Sequence, residues 1–455
     1  MINQGDGASV KSRNFKMKMT NTRLIACSFA LMIALGMLLL CLPISSASGE
    51  WTSPIDALFT ATTSTCVTGL VVFDTATHWS LFGEVVILIL IQIGGIGLMT
   101  LITLFSFFVR QRVSLHERRL LLQSTGALTL SGVSAVFKQV MIGTFVIEGI
   151  GAALLAIRFC PRFGAKGIWY SVFHSVSAFC NAGIDILGDT GSSSFIAYQD
   201  DWLVNFVLMF LVVVGGLGFL VWSDLLKKRF RFKKLELHSK LVLAITAVLI
   251  LGGWALFYVT ERNASMADLS EPKKLLASLF QSVTTRTAGM ATTDQASLSN
   301  SGLIGSLALM FVGGSPGSTA GGAKTTTVAI FLLCCVRLAR NREDVVVFKR
   351  RIDDRIVRQA GAVVCVYLVL ALVATGVLCA LEPISLRDGV YECVSAIATV
   401  GLSTGITSSL CGVSKLVIIL LMYVGRLGGL SIFLALSEDS EQAELRRPVE
   451  KILIG

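Results

Sequence analysis

Charge is scarce in this 455-residue chain: Asp, Glu, Lys and Arg together make up 15%, where an ordinary soluble domain carries about 25%. That shortage excludes a single compact soluble core. Histidine is scarcer still. His78, His116, His174 and His238 lie far apart, and no cysteine pair has the spacing of a zinc site or a thioredoxin-like motif. The eleven cysteines are scattered, several of them inside apolar runs, and read as small apolar packers. No nucleophile–base set and no metal cluster survives inspection, so the sequence does not read as an enzyme. A Gly-x-Gly-x-x-Gly fingerprint after a plausible strand is also missing. What the chain has is 54% hydrophobic residues and a mean hydropathy of +0.75. Its formal net charge of +10 comes from short basic clusters between apolar stretches. That is a topology signal rather than a nucleic-acid footprint, and no nucleic-acid partner is expected.

Apolar runs at about 24–44, 82–109, 134–158, 203–225, 241–259, 303–336, 361–380 and 415–436 are each long enough to span a bilayer. The first run follows Lys11, Arg13, Lys16, Lys18 and Arg23 and precedes a Ser-Ser-Ala-Ser-Gly stretch, which resembles a cleavable signal. It also fills the first-helix position of a repeat, so a retained helix is expected. Between the runs of each pair lies a shorter segment: Pro54–Thr65, Trp169–Cys180, Lys274–Thr285 and Leu386–Ile397. Each is too short to cross and suits a re-entrant half-helix.

Every short segment meets a small-residue turn ending in glycine. The turns are Thr65-Cys66-Val67-Thr68-Gly69, Phe179-Cys180-Asn181-Ala182-Gly183, Thr285-Arg286-Thr287-Ala288-Gly289 and Ala398-Thr399-Val400-Gly401. Phe59, Phe173, Phe280 and Tyr391 stand 10, 10, 9 and 10 residues before these glycines. A second glycine signature follows at Gly94-Gly95, Gly215-Gly216, Gly313-Gly314 and Gly425. Two signatures recurring in order four times define an internal repeat. The expected fold is therefore an all-α integral membrane protein of four tandem helix–pore-loop–helix repeats around one pseudo-fourfold pore. Its expected parts are a cytoplasmic segment 1–23, repeats at 24–112, 131–228, 240–340 and 359–437, and a cytoplasmic tail 438–455. Eight spanning helices and four re-entrant ones are expected. Lys and Arg at the repeat joints, notably 227–234 and 340–358, place both termini and all joints in the cytoplasm.

Four glycine turns around one axis can ring a dehydrated cation with backbone oxygens. None of the four holds a carboxylate, although Asp74 and Asp185 lie just beyond two of them. That favours a monovalent ion, with the acids enriching cations at the outer mouth. The third repeat interrupts its last apolar run with Gly313, Gly314, Ser315, Pro316, Gly317, Ser318, Thr319, Ala320, Gly321, Gly322 and Ala323 before Lys324. Such a stretch cannot stay helical, and a loop at about 313–323 beneath the pore is expected. Arg426 sits in the final apolar run, where burial costs roughly 2.5–3.5 kcal/mol on insertion scales. It reads as a barrier or latch beside that loop, or as a tether to carbonyls. Glu148, also in an apolar run, has no evident partner. A secondary transporter, which also uses broken helices, is the competing class. A non-conducting sensor would not need four glycine turns.

With these motifs in place, the chain resembles the membrane subunits of the bacterial Ktr potassium uptake systems, in the Trk/Ktr/HKT superfamily. The resemblance runs from about residue 24 to the last helix and implies a potassium-channel-like fold. It implies that Gly69, Gly183, Gly289 and Gly401 are filter glycines, with the residues of their turns lining the filter. The third filter stretch is then Arg286–Gly289, and the second Cys180–Gly183. Only Thr399-Val400-Gly401 keeps the Thr-Val-Gly core of a potassium-channel filter, so selectivity is expected to be relaxed. The resemblance further implies that Gly313–Lys324 is an intramembrane gate contacted by Arg426. It implies potassium as the transported ion, sodium stimulation, and no resident metal. The implied partners are a second copy in a homodimer, membrane lipid, and a cytosolic nucleotide-binding ring of the KtrA kind, the only source of nucleotide control. The implied location is the bacterial inner (plasma) membrane.

Overall fold

The computed structural model describes residues 21–97, 133–188, 194–341 and 344–428. Expectations for the segment 1–20, the end of the first repeat beyond Gly97, and the tail 438–455 lie outside the described residues. Each repeat begins with a long apolar helix: α1 (Asn21–Cys41), α4 (Val133–Phe163), α8 (Leu237–Glu261) and α12 (Asp354–Leu381). These are the four described helices long and apolar enough to cross a membrane singly. Their outer faces expose large apolar side chains, such as Leu31 and Leu38, Ile142 and Phe145, Val248 and Val259, and Leu368 and Leu372. A helix that is apolar on its solvent face belongs in hydrocarbon.

Next come the half-helices α2 (Pro54–Thr65), α5 (Ala165–Phe179), α9 (Glu271–Thr284) and α13 (Leu386–Ile397). The first and last begin and end where the sequence placed them. The second begins four residues earlier than expected, because Gly164 with φ 59° restarts the helix directly after α4. These helices are buried by protein: Phe59, Phe173 and Tyr391 are fully buried and Phe280 nearly so.

The second helices are α3 (Leu81–Ile96), α6 (Trp202–Leu217), α10 (Asn300–Val312) and α14 (Gly412–Leu427). Ser80, Asp201 and Ser299 cap the first three through side-chain oxygens that accept backbone N–H bonds. Here the structure corrects the sequence reading. None of the four runs on as one spanning helix. All four stop at a glycine of positive φ: Gly97, Gly218, Gly313 and Gly428. In repeat two, α7 (Phe219–Lys227) leaves α6 at 91°. In repeat three, α11 (Thr325–Ala339) resumes after a loop. The interruption expected in one repeat is a property of all four. Residues 344–353 add a small antiparallel pairing of Val346–Val347 with Arg350–Arg351.

Packing closes the repeats into a ring. Each half-helix packs on its own first helix and on the second helix of the preceding repeat: α3 on α5, α6 on α9, α10 on α13, and α14 back on α2. A polar contact spans each joint. Trp169 Nε1 donates to Glu84 (2.6 Å), Lys273 pairs with Asp200 (2.5 Å), Arg387 donates to the Leu298 carbonyl (2.5 Å) and Lys415 pairs with Asp56 (2.7 Å). The last of these joins the two ends of the chain's repeat order and is the least exposed of the two ion pairs.

Candidate ion pathway

The four half-helices point their carboxyl ends at one place. Each terminates through a shared device. The residue before the glycine folds its N–H back to a carbonyl in the last turn: Thr68 to Thr63, Ala182 to Ser177, Ala288 to Thr284 and Val400 to Ser395, at 2.8–2.9 Å. The same four residues carry hydroxyls that staple the turn. Thr63 and Ser395 accept the N–H of Gly69 and Gly401 at 3.0 Å, Ser177 donates to the Ile184 carbonyl at 2.6 Å, and Thr284 donates to the Met290 carbonyl. Each hydroxyl stands four residues after the buried aromatic of its repeat. That spacing was readable in the sequence and was missed.

Two residues per turn have left-handed backbone. The glycines Gly69, Gly183, Gly289 and Gly401 have φ of 100°, 69°, 76° and 93°. Two positions earlier, Val67, Asn181, Thr287 and Thr399 have φ of 55°, 59°, 71° and 48°. Positive φ is costly for a β-branched residue, so the strain at Val67, Thr287 and Thr399 is held by the surrounding turn. No sequence signal marks it, because the pattern rule assigns left-handed positions to glycine.

The turns meet in chain order around one axis. A Cβ on Gly69 would lie 2.6 Å from the Ala182 carbonyl oxygen, and one on Gly183 2.7 Å from that of Ala288. One on Gly289 would strike the Val400 carbonyl, and one on Gly401 the Thr68 carbonyl, closing the circle. Each glycine is therefore the only residue that lets neighbouring backbones approach this closely. The structure brings all four expected turns together. Cys66, Val67, Thr68, Cys180, Asn181, Ala182, Arg286, Thr287, Ala288, Ala398, Thr399 and Val400 are buried around the ring, as is Thr65 at the end of α2. Arg286 points away from a carboxylate: its described side-chain partner is Thr246 on α8, at 3.4 Å.

The second glycine signature supports the ring from beneath. A Cβ on Gly94, Gly215 or Gly425 would collide with the last carbonyls of the half-helices, those of Thr65, Phe179 and Ile397. Gly313, at the same place in α10, instead abuts Gly321 and Gly322 of the loop.

That loop, Gly313–Lys324, lies against the ring. Gly321 packs on Thr399 and on the Ala398 carbonyl. Thr319 donates its hydroxyl to the Phe179 carbonyl (3.1 Å) and its N–H to Gly215 (3.3 Å), while Ser315 N–H reaches Gly216 (3.1 Å). Phe219 at the start of α7 donates to Gly317 (2.8 Å). Within the loop, Gly314 N–H meets the Gly321 carbonyl, and Ser318 Oγ bonds the Ser315 carbonyl at 2.6 Å. Lys324 Nζ donates to the Ala320 carbonyl at 2.6 Å. Pro316 presents its carbonyl toward Gly218, and Gly322, at φ 77°, returns the chain beside Gly313. Arg426 donates to the Thr319 carbonyl on one side and to the Gly94 and Gly95 carbonyls on the other. It thus ties the loop to the carboxyl end of α3, where a cation meets the unpaired carbonyls of a helix terminus.

Lys324 itself was misread as a mere end marker. Its φ and ψ, 79° and 133°, match Gly97 (89°, 131°), Gly218 (96°, 140°) and Gly428 (83°, 131°). It is the hinge of repeat three, displaced along the chain by the inserted loop. Glu148 also acquires partners that sequence could not supply. Gln92 Nε2 donates to both its oxygens at 3.1 and 3.2 Å, and the Cys180 thiol lies 3.9 Å away.

Outside the ring, Asp185 follows the second turn and accepts the Leu187 N–H at 3.2 Å. Burial pushes its carboxyl up to about 6, and the nearby Asp74 charge adds to the rise. Among the described residues no cluster of His, Cys, Asp and Glu could hold a metal ion.

A ring of four re-entrant half-helices, sheathed by apolar helices, defines a multi-pass membrane protein built around one axial pathway. The chain belongs to the TrkH family of cation transport proteins, whose model matches residues 5–447. It is 40% identical to the potassium/sodium uptake protein NtpJ of Enterococcus hirae, over 98% of this chain and 100% of that protein. It is 36% identical to the Ktr system potassium uptake protein B of Bacillus subtilis, over 96% of this chain and 97% of that one. The fold matches the crystal structure of the potassium transporter TrkH from Vibrio parahaemolyticus with a TM-score of 0.72 at 18% identity, over 96% of this chain and 87% of that one. This is a family of transport proteins, not of enzymes.

Proposed function

We propose that the chain takes up potassium through the axial pathway, with the four turns as its filter. The observation that carries this is the closed circle in which each turn glycine abuts a carbonyl of the next turn. Carbonyl oxygens replace a monovalent cation's water without the full charge that would trap it. The carboxyl ends of four half-helices add a favourable field for a cation on the axis. The unequal turns, with Cys66, Cys180, Arg286 and Ala398 at one level, support a filter less strict than a symmetric one, and sodium dependence fits such a site. Potassium uptake by the relatives named above supports the choice of ion.

In this reading the loop 313–323 is the gate and Arg426 its latch. The loop lies directly against the ring, and the latch joins it to repeat one. Because a Ktr system protein is among the relatives, control belongs to a cytosolic nucleotide-binding ring partner acting on a homodimer in the bacterial plasma membrane. The basic joints offer that partner its docking surface. The test is potassium and sodium uptake into liposomes by the protein and by Gly401→Ser. The serine collides with the Thr68 carbonyl. Potassium uptake should fall by about 100-fold, equivalent to roughly 3 kcal/mol of added barrier. Unchanged uptake and selectivity would remove the filter assignment.

A further inference from the structure

Repeat two holds a cavity of about 350 Å³ in the concave side of its 91° bend. Gly143 and Ile147 of α4, Phe210 and Val214 of α6, and Phe219 and Trp222 of α7 wall it. The lining is almost wholly apolar, and Phe210, Leu226 and Phe230 at its edge are exposed. The end of α7 and the residues after it form a basic rim. Lys227, Lys228, Arg229 and Arg231 are all exposed, and none of them is in an ion pair among the described residues.

We propose that this is a binding site for an anionic phospholipid, with one acyl chain in the cavity and the phosphate headgroup on Lys227–Arg231. The cavity is far too narrow for a helix, whose diameter is about 10–12 Å, and suits a single hydrocarbon chain. Inside a bilayer an acyl chain gains little by exchanging lipid neighbours for apolar side chains. Selection must then come from the headgroup, and an unpaired basic cluster beside an apolar slot selects negative charge.

The site is wired to the pathway. Phe219 in the cavity wall donates its N–H to Gly317 of the loop, and the Trp222 ring lies 5.6 Å from that of Phe179, whose carbonyl accepts Thr319. A chain filling the concave side resists straightening of α7 on α6 and so holds the loop against the ring. Binding is independent of the gate reading; the effect on flux rests on it.

The test reconstitutes the full chain in phosphatidylcholine vesicles with a small fraction of brominated phosphatidylglycerol or brominated phosphatidylcholine. Tryptophan quenching is read as the difference between the protein and Trp222→Phe. Brominated phosphatidylglycerol should quench the Trp222 signal at roughly fivefold lower mole fraction, the worth of a single productive basic contact. Gly143→Leu, whose side chain enters the cavity, should abolish that excess. Gly143→Ala should keep it, because the added Cβ makes ordinary contact with Trp222 at 3.6 Å. Replacing Lys227, Lys228, Arg229 and Arg231 with Gln should equalise the two lipids, and this carries the test if Gly143→Leu fails to fold. Equal quenching by both lipids in the unaltered chain means ordinary annular contact and overturns the proposal. So does an excess that survives both changes, or a Trp222 that neither lipid quenches because the chain's own residues fill the cavity. If the lipid excess is found but flux does not respond to it, the site stands and the gate reading falls.

Discussion

Repeats two and three break their second helices below the same ring, yet they do so in opposite ways. In repeat two the chain turns at once: α6 ends, Gly218 swings the backbone through 91°, and α7 begins. In repeat three the same turn is delayed by the loop and is made by Lys324 rather than glycine. The first is a hinge with no side chain to restrain it. The second is a hinge in a conformation that costs a lysine about 1–3 kcal/mol, held by its own bond to Ala320 and by the Arg426 contact with Thr319. Backbone strain persists only where the surroundings over-determine it. The difference therefore separates a fixed corner of the fold from a segment with a second arrangement within reach.

The largest expected effect comes from removing the asymmetry. Deleting residues 314–322 makes repeat three resemble repeat two, and cation flux in liposomes should rise by about tenfold, a barrier change of roughly 1.4 kcal/mol. Lost flux in a correctly folded dimer would show that the loop builds the pathway instead of closing it.

A smaller effect should distinguish the two hinges themselves. Lys324→Gly and Lys324→Ala both remove the bond to Ala320, but only glycine releases the positive φ. The glycine variant should be the more stable by about 1 kcal/mol in thermal unfolding. At Gly218 the order reverses. Gly218→Ala should destabilise by about 1–2 kcal/mol, since it adds strain and places a Cβ 2.7 Å from the Pro316 carbonyl. Equal stability of the two Lys324 variants would mean that the hinge is not strained.

The smallest expected effect lies at the outer mouth, where repeat two carries Asp185 two residues past its glycine and repeat three carries Ala291. Burial lifts the Asp185 carboxyl to about 6. A raised carboxylate is charged above that value and neutral below it. Cation uptake at limiting concentration should thus fall, by about twofold to threefold, as external pH drops from 7 to 5. Asp185→Asn should show the low value throughout. A pH response that survives Asp185→Asn would assign it elsewhere, and Ala291→Asp should make repeat three contribute a second one.

Particular residues show how far the sequence reached. The half-helices at Pro54–Thr65 and Leu386–Ile397, the four turn glycines and the loop at 313–323 were legible because each is a local exception to an apolar background. A short segment between spans, a glycine among hydroxyls and a proline in an apolar run each violate the pattern expected of a membrane helix. The hydroxyl staples at Thr63, Ser177, Thr284 and Ser395 were equally periodic. They went unread because serine and threonine are common near turns.

The hinges at Gly97, Gly218 and Gly428 escaped for a different reason. Apolar residues continue past each of them, and composition does not register a bend when both arms suit hydrocarbon.

By itself the sequence determined the repeat, its count and the place of each turn, since these follow from hydrophobic length and from residues that exclude other backbone conformations. Tertiary structure alone decided the cyclic order of the turns and the left-handed backbone at Val67, Asn181, Thr287 and Thr399. It also decided the equivalence of Lys324 to three glycines, the pairing of Glu148 with Gln92, and the reach of Arg426 to both Thr319 and Gly94. Those contacts join residues as far apart as Gly94 and Arg426. Side chains so distant in the chain leave no local pattern. Their conformations are fixed by neighbours that only the closed ring brings into contact.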